Sequence, residues 1–309
     1  MLIGKIRRAL ESAGLIHREA RRAPGQFLDR AYSGGAGNLS YKLYVPARLR
    51  GRRRSLLVML HGCGQNPEDF ATGTRMNAQA DEHGFLVAYP AQSAAANAFT
   101  CWNWFRGKDQ ARETGEPALI AGITRAVALE HAVDAAHTYI AGLSAGGAMA
   151  VVLGATYPDI FSAIGVHSGL PYRAAHDASS AMAAMRGRTS QLDSTVKHAI
   201  PTIVFHGDRD TTVDVQNGSA IVDQAVSNAE RDLGPLRKVV LEGTSGDGRA
   251  YTETRYRASR SASFIEYWVL HGAGHAWSGG FSEGSFTDES GPDASAEMVR
   301  FFLGRRARR

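Results

Sequence analysis

The sequence has few cysteines, no long apolar run and no repeats, and each shortage removes a class of protein. Two cysteines in 309 residues carry neither a zinc-ligand spacing nor a CxxC pair. A chain this long also buries a core without needing disulfides. No stretch is apolar over the ~20 residues that span a bilayer, so no membrane partner is expected. The N-terminal MLIGKIRRALESAGLIHREARR interleaves charges with apolar residues and lacks the apolar h-region of a secretory signal. It reads instead as a helical extension over 1–24. On that reading the protein is cytoplasmic by default, and secreted or periplasmic if a signal has been removed. No internal repeat or low-complexity tract is present.

Acidic residues are also in slight deficit, leaving a net charge of +5. The excess gathers in the first 22 residues, at Arg52-Arg53-Arg54, and in a basic tail over 305–309. Basic ends are usually solvated tails. With no zinc-finger spacing and no aromatic RNA-binding motif, nucleic acid is not an expected partner.

What is present is an alternation of short apolar runs with helix-length segments, the pattern of an α/β fold with a mainly parallel sheet flanked by helices. Leu39–Val45 alternates and follows a glycine-rich turn, which predicts an N-terminal antiparallel hairpin. Ser55–Leu60, Phe85–Tyr89, Thr138–Ala141, Ala163–His167, Thr202–His206 and Phe264–Leu270 read as strands. Pro67–Glu82, Pro117–His131, Ala145–Thr156 and Ala294–Leu303 read as helices. Pro171–Lys197 is an insertion whose Ala, Met and Ser content suggests helix over the sheet edge. The organisation expected is one catalytic domain over 25–304.

Between the strand Thr138–Ala141 and the helix Ala145–Thr156 lies Gly142-Leu143-Ser144-Ala145-Gly146. A G-x-S-x-G pentapeptide gains meaning from this context, since glycines on both flanks let strand and helix close around a strained turn that projects the serine hydroxyl. That places Ser144 as the nucleophile of an α/β-hydrolase fold. A serine hydroxyl needs a base oriented by an acid, and in this fold the acid and then the base follow the serine in the chain. The acid is sought in His206-Gly207-Asp208-Arg209-Asp210, with Asp208, Asp210 and Asp214 as candidates. Asp210 is favoured, because Asp208 follows the strand at once and can bond loop amides instead. The base is His271 or His275, and His275 is favoured because Gly272 and Gly274 let its loop fold back over the serine.

An oxyanion needs backbone N–H donors. Ala145 should supply one, and the loop His61-Gly62-Cys63-Gly64-Gln65 the other, through Cys63. Cys63 and Cys101 are either buried free thiols or a disulfide pinning the two loops together; pairing is favoured, and needs Cα atoms about 4.4–6.8 Å apart. Trp102, Trp104 and Trp277 lie in loops beside these elements and are candidates to line an apolar substrate cleft. No metal or organic cofactor is implied.

LHGCGQ at Leu60–Gln65, CWNWF at Cys101–Phe105, AGLSAGGAMA at Ala141–Ala150, FHGDRDTTV at Phe205–Val213 and HGAGHAWSGG at His271–Gly280 together resemble the poly(3-hydroxybutyrate) depolymerase-type esterases. That family also holds feruloyl and acetylxylan esterases. The resemblance runs from about Tyr41 to Gly280. It implies Ser144 as nucleophile, Asp210 as acid, His275 as base, Cys63 and Ala145 as oxyanion donors, and a Cys63–Cys101 bridge. The function expected is hydrolysis of short-chain carboxylic esters, including 3-hydroxybutyrate polymer or oligomer esters. Feruloyl or acetylxylan esterase activity is the alternative, and an inactive binding module of the same fold is a third reading. The sequence shows no linker and polymer-binding domain, so soluble esters or oligomers are the expected substrates.

Overall fold

The computed structural model describes residues 25–49, 54–188, 198–258 and 264–304. The expected N-terminal extension, the basic tail, Arg52, Arg53 and part of the 171–197 insertion lie outside these.

β1 (Gln26–Gly34) and β2 (Gly37–Val45) form the antiparallel hairpin, as expected from the alternation in Leu39–Val45. β3 (Arg54–Leu60), β4 (Leu86–Pro90), β5 (Val133–Leu143), β6 (Ala163–His167), β7 (Thr202–Gly207) and β10 (Ile265–Leu270) form a parallel centre. β8 (Arg237–Thr244) and β9 (Ala250–Arg257) add a second antiparallel hairpin. The sheet order is β1-β2-β4-β3-β5-β6-β7-β10-β9-β8.

The central strands are buried on both faces, so their alternating side chains feed two cores. Leu56, Val58 and Leu60 of β3 enter one core with α3 (Gly115–Glu130), α4 (Ala145–Thr156) and α6 (Gln216–Leu233). Leu57 and Met59 enter the other, with α1 (Pro67–Thr74), α2 (Met76–His83) and α7 (Ala294–Leu303). This is the layered arrangement of an α/β-hydrolase. Among the described residues, no helix is long and apolar enough to cross a membrane.

Two readings need correction. Pro67–Glu82 is two helices, because Arg75 takes a left-handed φ of 53°. The break lets the Gly73 carbonyl accept the Phe281 N–H at 2.8 Å and so dock the segment after β10. The strand before Ser144 begins at Val133 rather than Thr138. Within the 171–197 insertion the described helix is short, α5 (Ala178–Met185), capped by Asp177 and burying Ala181 and Ala184.

Register sets the level at which loops leave the sheet. Leu60 pairs with Gly142, Leu143 with His167, His167 with Phe205, and Leu270 with Gly207. The C-terminal ends of β3, β5, β6, β7 and β10 therefore stop side by side. In open α/β sheets that edge is where ligands bind.

Candidate active site

Ser144 sits on the turn from β5 into α4 with φ 56° and ψ −118°. A non-glycine residue holds such a conformation only where its surroundings enforce it. Here the Ser144 N–H donates to the His167 carbonyl at 2.9 Å, and its own carbonyl accepts from Ala148 at 2.9 Å. The flanking glycines are a steric requirement. A Cβ on Gly142 would lie 2.4 Å from the Gly146 carbonyl carbon, and one on Gly146 would lie 2.1 Å from the Leu60 oxygen. Ser144 is the N-cap of α4, yet its side chain makes no capping bond. The hydroxyl is left available.

The ends of β7 and β10 bring the acid and imidazole candidates together. His275 Nδ1 lies 2.6 Å from Asp210 Oδ2. The other oxygen, Oδ1, accepts the N–H groups of Thr212 at 2.9 Å and Val213 at 2.8 Å. Burial alone would raise the Asp210 pKa. Hydrogen bonds from His206 and His275, the charge on His275 and the Val213 amide outweigh it and hold this carboxyl well below the usual range. A carboxylate at that position keeps the proton on Nδ1 and leaves Nε2 free to accept one. Of the other acid candidates, Asp214 accepts the Gln216 N–H at 2.9 Å at the start of α6. Asp208 contacts His271 instead, at 2.9 Å.

Two buried histidines went unnoticed in the sequence, where they looked like polar strand ends. His206 donates through Nε2 to the Val213 carbonyl at 2.8 Å, and the same nitrogen lies 3.5 Å from Asp210 Oδ2, so it also favours the carboxylate. His167 stacks on Phe205 and Trp277. Burial, then the nearby His206 and His275, push its imidazole down to about 3. It is therefore neutral, and its Nε2 accepts the Ser278 N–H at 3.1 Å. One residue thus holds the Ser144 amide through its carbonyl and the segment after His275 through its ring.

The loop after β3 is fixed from several sides. His61 is buried, which lowers its pKa. Its Nδ1–H donates to the Gly62 carbonyl at 2.8 Å and its Nε2 accepts the Gln92 N–H at 3.1 Å. The Gly62 N–H is taken by Gln65 Oε1, that of Gly64 by the Phe99 carbonyl, and that of Gln65 by the Gly62 carbonyl. The Cys63 N–H has no acceptor among the described residues. The Ala145 N–H opens α4, where first-turn amides lack intrahelical partners and the helix dipole favours negative charge. Both sequence-selected amides are thus unspent.

Cys63 and Cys101 form a disulfide with Cα atoms 4.2 Å apart, just short of the expected span. Behind it, buried Glu116 accepts from the Asn103 N–H at 2.7 Å and from Gln92 Nε2 at 2.6 Å. The tryptophans depart from expectation. Trp102 and Trp277 are 0% and 1% exposed, and their indole N–H groups bond the His61 carbonyl and Ser295 Oγ. They are core residues that hold loops in place. Trp104 is 6% exposed. Exposed rings on segments tied to these loops are instead Phe99 at 78% and Phe286 at 48%, whose carbonyls accept the amides of Gly64 and Trp277. Among the described residues, no group of three or more His, Cys, Asp or Glu side chains is placed to hold a metal ion.

A family model described as esterase PHB depolymerase matches residues 39–240, a span that includes Cys63, Ser144 and Asp210 but stops short of His275. Poly(3-hydroxyalkanoate) depolymerase C of Paucimonas lemoignei is 29% identical over 252 residues, covering 77% of this chain and 58% of that one. Feruloyl esterase B of Neurospora crassa is 32% identical over 145 residues, 47% of this chain and 48% of that one. The chain therefore spans about half the length of these relatives. Among solved structures, an acetyl xylan esterase from Aspergillus awamori shares the fold with a TM-score of 0.69 at 17% identity, over 92% of this chain and 100% of that one.

Proposed function

The chain belongs to the PHB depolymerase esterase family, and we propose that it is a serine esterase that hydrolyses short-chain carboxylic esters through an acyl-enzyme. The observation that carries this reading is the 2.6 Å contact of His275 Nδ1 with a buried carboxylate, on the same sheet edge as a strained serine. In this reading Ser144 is the nucleophile, His275 the base and Asp210 the acid. His275 Nε2 takes the hydroxyl proton as Ser144 Oγ attacks the ester carbonyl. The amides of Cys63 and Ala145 receive the oxyanion, each contributing a few kcal/mol. The imidazolium then protonates the leaving alcohol, and water, activated by the same histidine, releases the acid.

The relatives' names support hydroxyalkanoate polymers or oligomers as the preferred esters. The feruloyl and acetylxylan esterases among them support carbohydrate-linked esters as a second reading. Phe99 and Phe286, exposed rings on segments bonded to Gly64 and Trp277, take over in this reading the role first given to the tryptophans, contact with an acyl or alcohol group. Ser144→Ala should abolish turnover of p-nitrophenyl butyrate while far-UV circular dichroism stays unchanged. Full activity in that variant, or no labelling of Ser144 by a fluorophosphonate, would instead favour an inactive binding module. Hydroxybutyrate oligomers, methyl ferulate and acetylated xylan assayed side by side separate the substrate classes.

A further inference from the structure

Asp208 and His271 form a second acid–imidazole pair on the two loops that carry Asp210 and His275. We propose that this outer pair is a positioning device: it locks the turn 271–275 to the acid loop so that Asp210 and His275 meet in one register. The inference rests on the reading of Asp210 and His275 as acid and base.

The base loop needs such a lock. Gly272 has φ 72°, and a Cβ on Gly274 would meet nothing within 4 Å, so sterics alone do not hold this turn. Glycines also leave the loop more conformations to lose. Against this, His271 is held at all four of its polar groups although its side chain is 43% exposed. Its N–H donates to the Ala250 carbonyl at 2.9 Å, and its carbonyl accepts from Arg249 at 3.1 Å. Nδ1 lies 2.9 Å from Asp208 Oδ2 and Nε2 lies 2.9 Å from Thr252 Oγ1. Since a carboxylate can only accept, Nδ1 carries a proton, and in the neutral ring Nε2 accepts from the Thr252 hydroxyl. Arg249 is itself anchored to Asp288 at 2.7 Å and Ser290 at 2.8 Å.

Contacts between the two loops advance along the chain like rungs. The Asp208 N–H donates to the Leu270 carbonyl at 3.1 Å, and Asp208 Oδ1 accepts the Gly272 N–H at 2.7 Å. The Arg209 N–H donates to the Ala273 carbonyl at 3.0 Å, and Asp210 then meets His275. The approach is so close that a Cβ on Gly207 would lie 2.3 Å from the Ala273 oxygen. Loss of the outer rung frees the turn to shift, and a shift there moves the inner rung.

The test compares His271→Ala, His271→Asn and Thr252→Val with p-nitrophenyl butyrate as substrate. His271→Ala should lower kcat about 10- to 100-fold, the cost of a misplaced catalytic group, with KM nearly unchanged. His271→Asn, whose Nδ2 can donate to Asp208 in place of Nδ1, should recover most of it. In an Asp210→Asn background His271→Ala should add little, because both act on one unit. Unchanged kcat in His271→Ala, a lowered melting temperature without a kcat change, or an equal loss in the Asp210→Asn background would overturn the proposal. Should His271→Ala not fold, the near-isosteric Thr252→Val decides. A severalfold drop in kcat supports the lock and wild-type kcat refutes it. His275→Ala tests the parent reading separately. If it retains activity, that reading fails; if it is inactive while His271→Ala matches wild type, only the positioning role fails.

Discussion

Replacing Asp210 with asparagine changes one atom, and the surroundings dictate how the new amide must lie. Oδ1 of Asp210 accepts two backbone N–H groups, from Thr212 and Val213, while Oδ2 faces one close donor, His275 Nδ1 at 2.6 Å, with His206 Nε2 farther off at 3.5 Å. An asparagine with its NH2 toward the loop would set donors against both amides, and each buried donor left unpaired costs about 1–3 kcal/mol. The oxygen therefore stays on the two amides and the NH2 turns to His275. Nδ1 must then accept, which moves the ring proton to Nε2, the nitrogen that takes the Ser144 proton in the proposed mechanism. The proposed base is then lost without any change of shape. The same acid-to-amide change in a serine triad lowers kcat about 10,000-fold, or about 5.5 kcal/mol of transition-state stabilisation. Steady-state kinetics on p-nitrophenyl butyrate at pH 7 should show this loss in kcat, with circular dichroism unchanged. A loss under tenfold, or an equal loss in Asp208→Asn with Asp210→Asn active, would refute the assignment of Asp210 as acid.

Three further expectations follow from the same contacts. Cys101→Ser opens a link spanning 38 residues and should lower unfolding free energy by about 4 kcal/mol on loop entropy; a urea midpoint equal to wild type would contradict it. His167 has a folded pKa of about 3 against about 6.5 unfolded, so below pH 6.5 the unfolded chain binds the proton first. The stability from this group is complete above that pH and falls as pH drops toward 3, by about 3 kcal/mol at pH 4.5. Urea titrations from pH 7 to 4.5 should show that slope, and His167→Gln should flatten it. Gly146→Ala would drive a Cβ to 2.1 Å from the Leu60 oxygen, a backbone atom that cannot swing aside. The cost should be about 3 kcal/mol, a melting temperature lower by about 5 °C for a chain of this length; an unchanged melting temperature would show that the turn has slack.

Much of the frame was legible in the chain itself. The limits of α4 and α7 match the expected segments because small or amphipathic residues begin at a cap and end at an aromatic or glycine stop. The parallel strands were readable because burial on both faces demands short continuous apolar runs. Less legible were α6, which starts with the polar Gln216-Asn217-Gly218, and β8, whose side chains are mostly exposed. Gly218 interrupts a helical pattern because His206 packs there, 2.8 Å from where a Cβ would sit.

The site divides in the same way. G-x-S-x-G, the order of serine, acid and histidine, and the loop after β3 are local or ordered features, so residue types and spacing sufficed to single them out. Which aspartate faces which histidine is a matter of register between β7 and β10, strands whose ends lie more than fifty residues apart in sequence. That register pairs Asp210 with His275 and Asp208 with His271. The tryptophans show the same boundary from the other side. A tryptophan in a loop segment reads as available, but whether it faces a cleft or fills a core depends on what packs around it. For Trp277 the answer is His167, Phe70 and Ser295, the first two more than a hundred residues away in the chain, which only the folded sheet and its helices bring into contact.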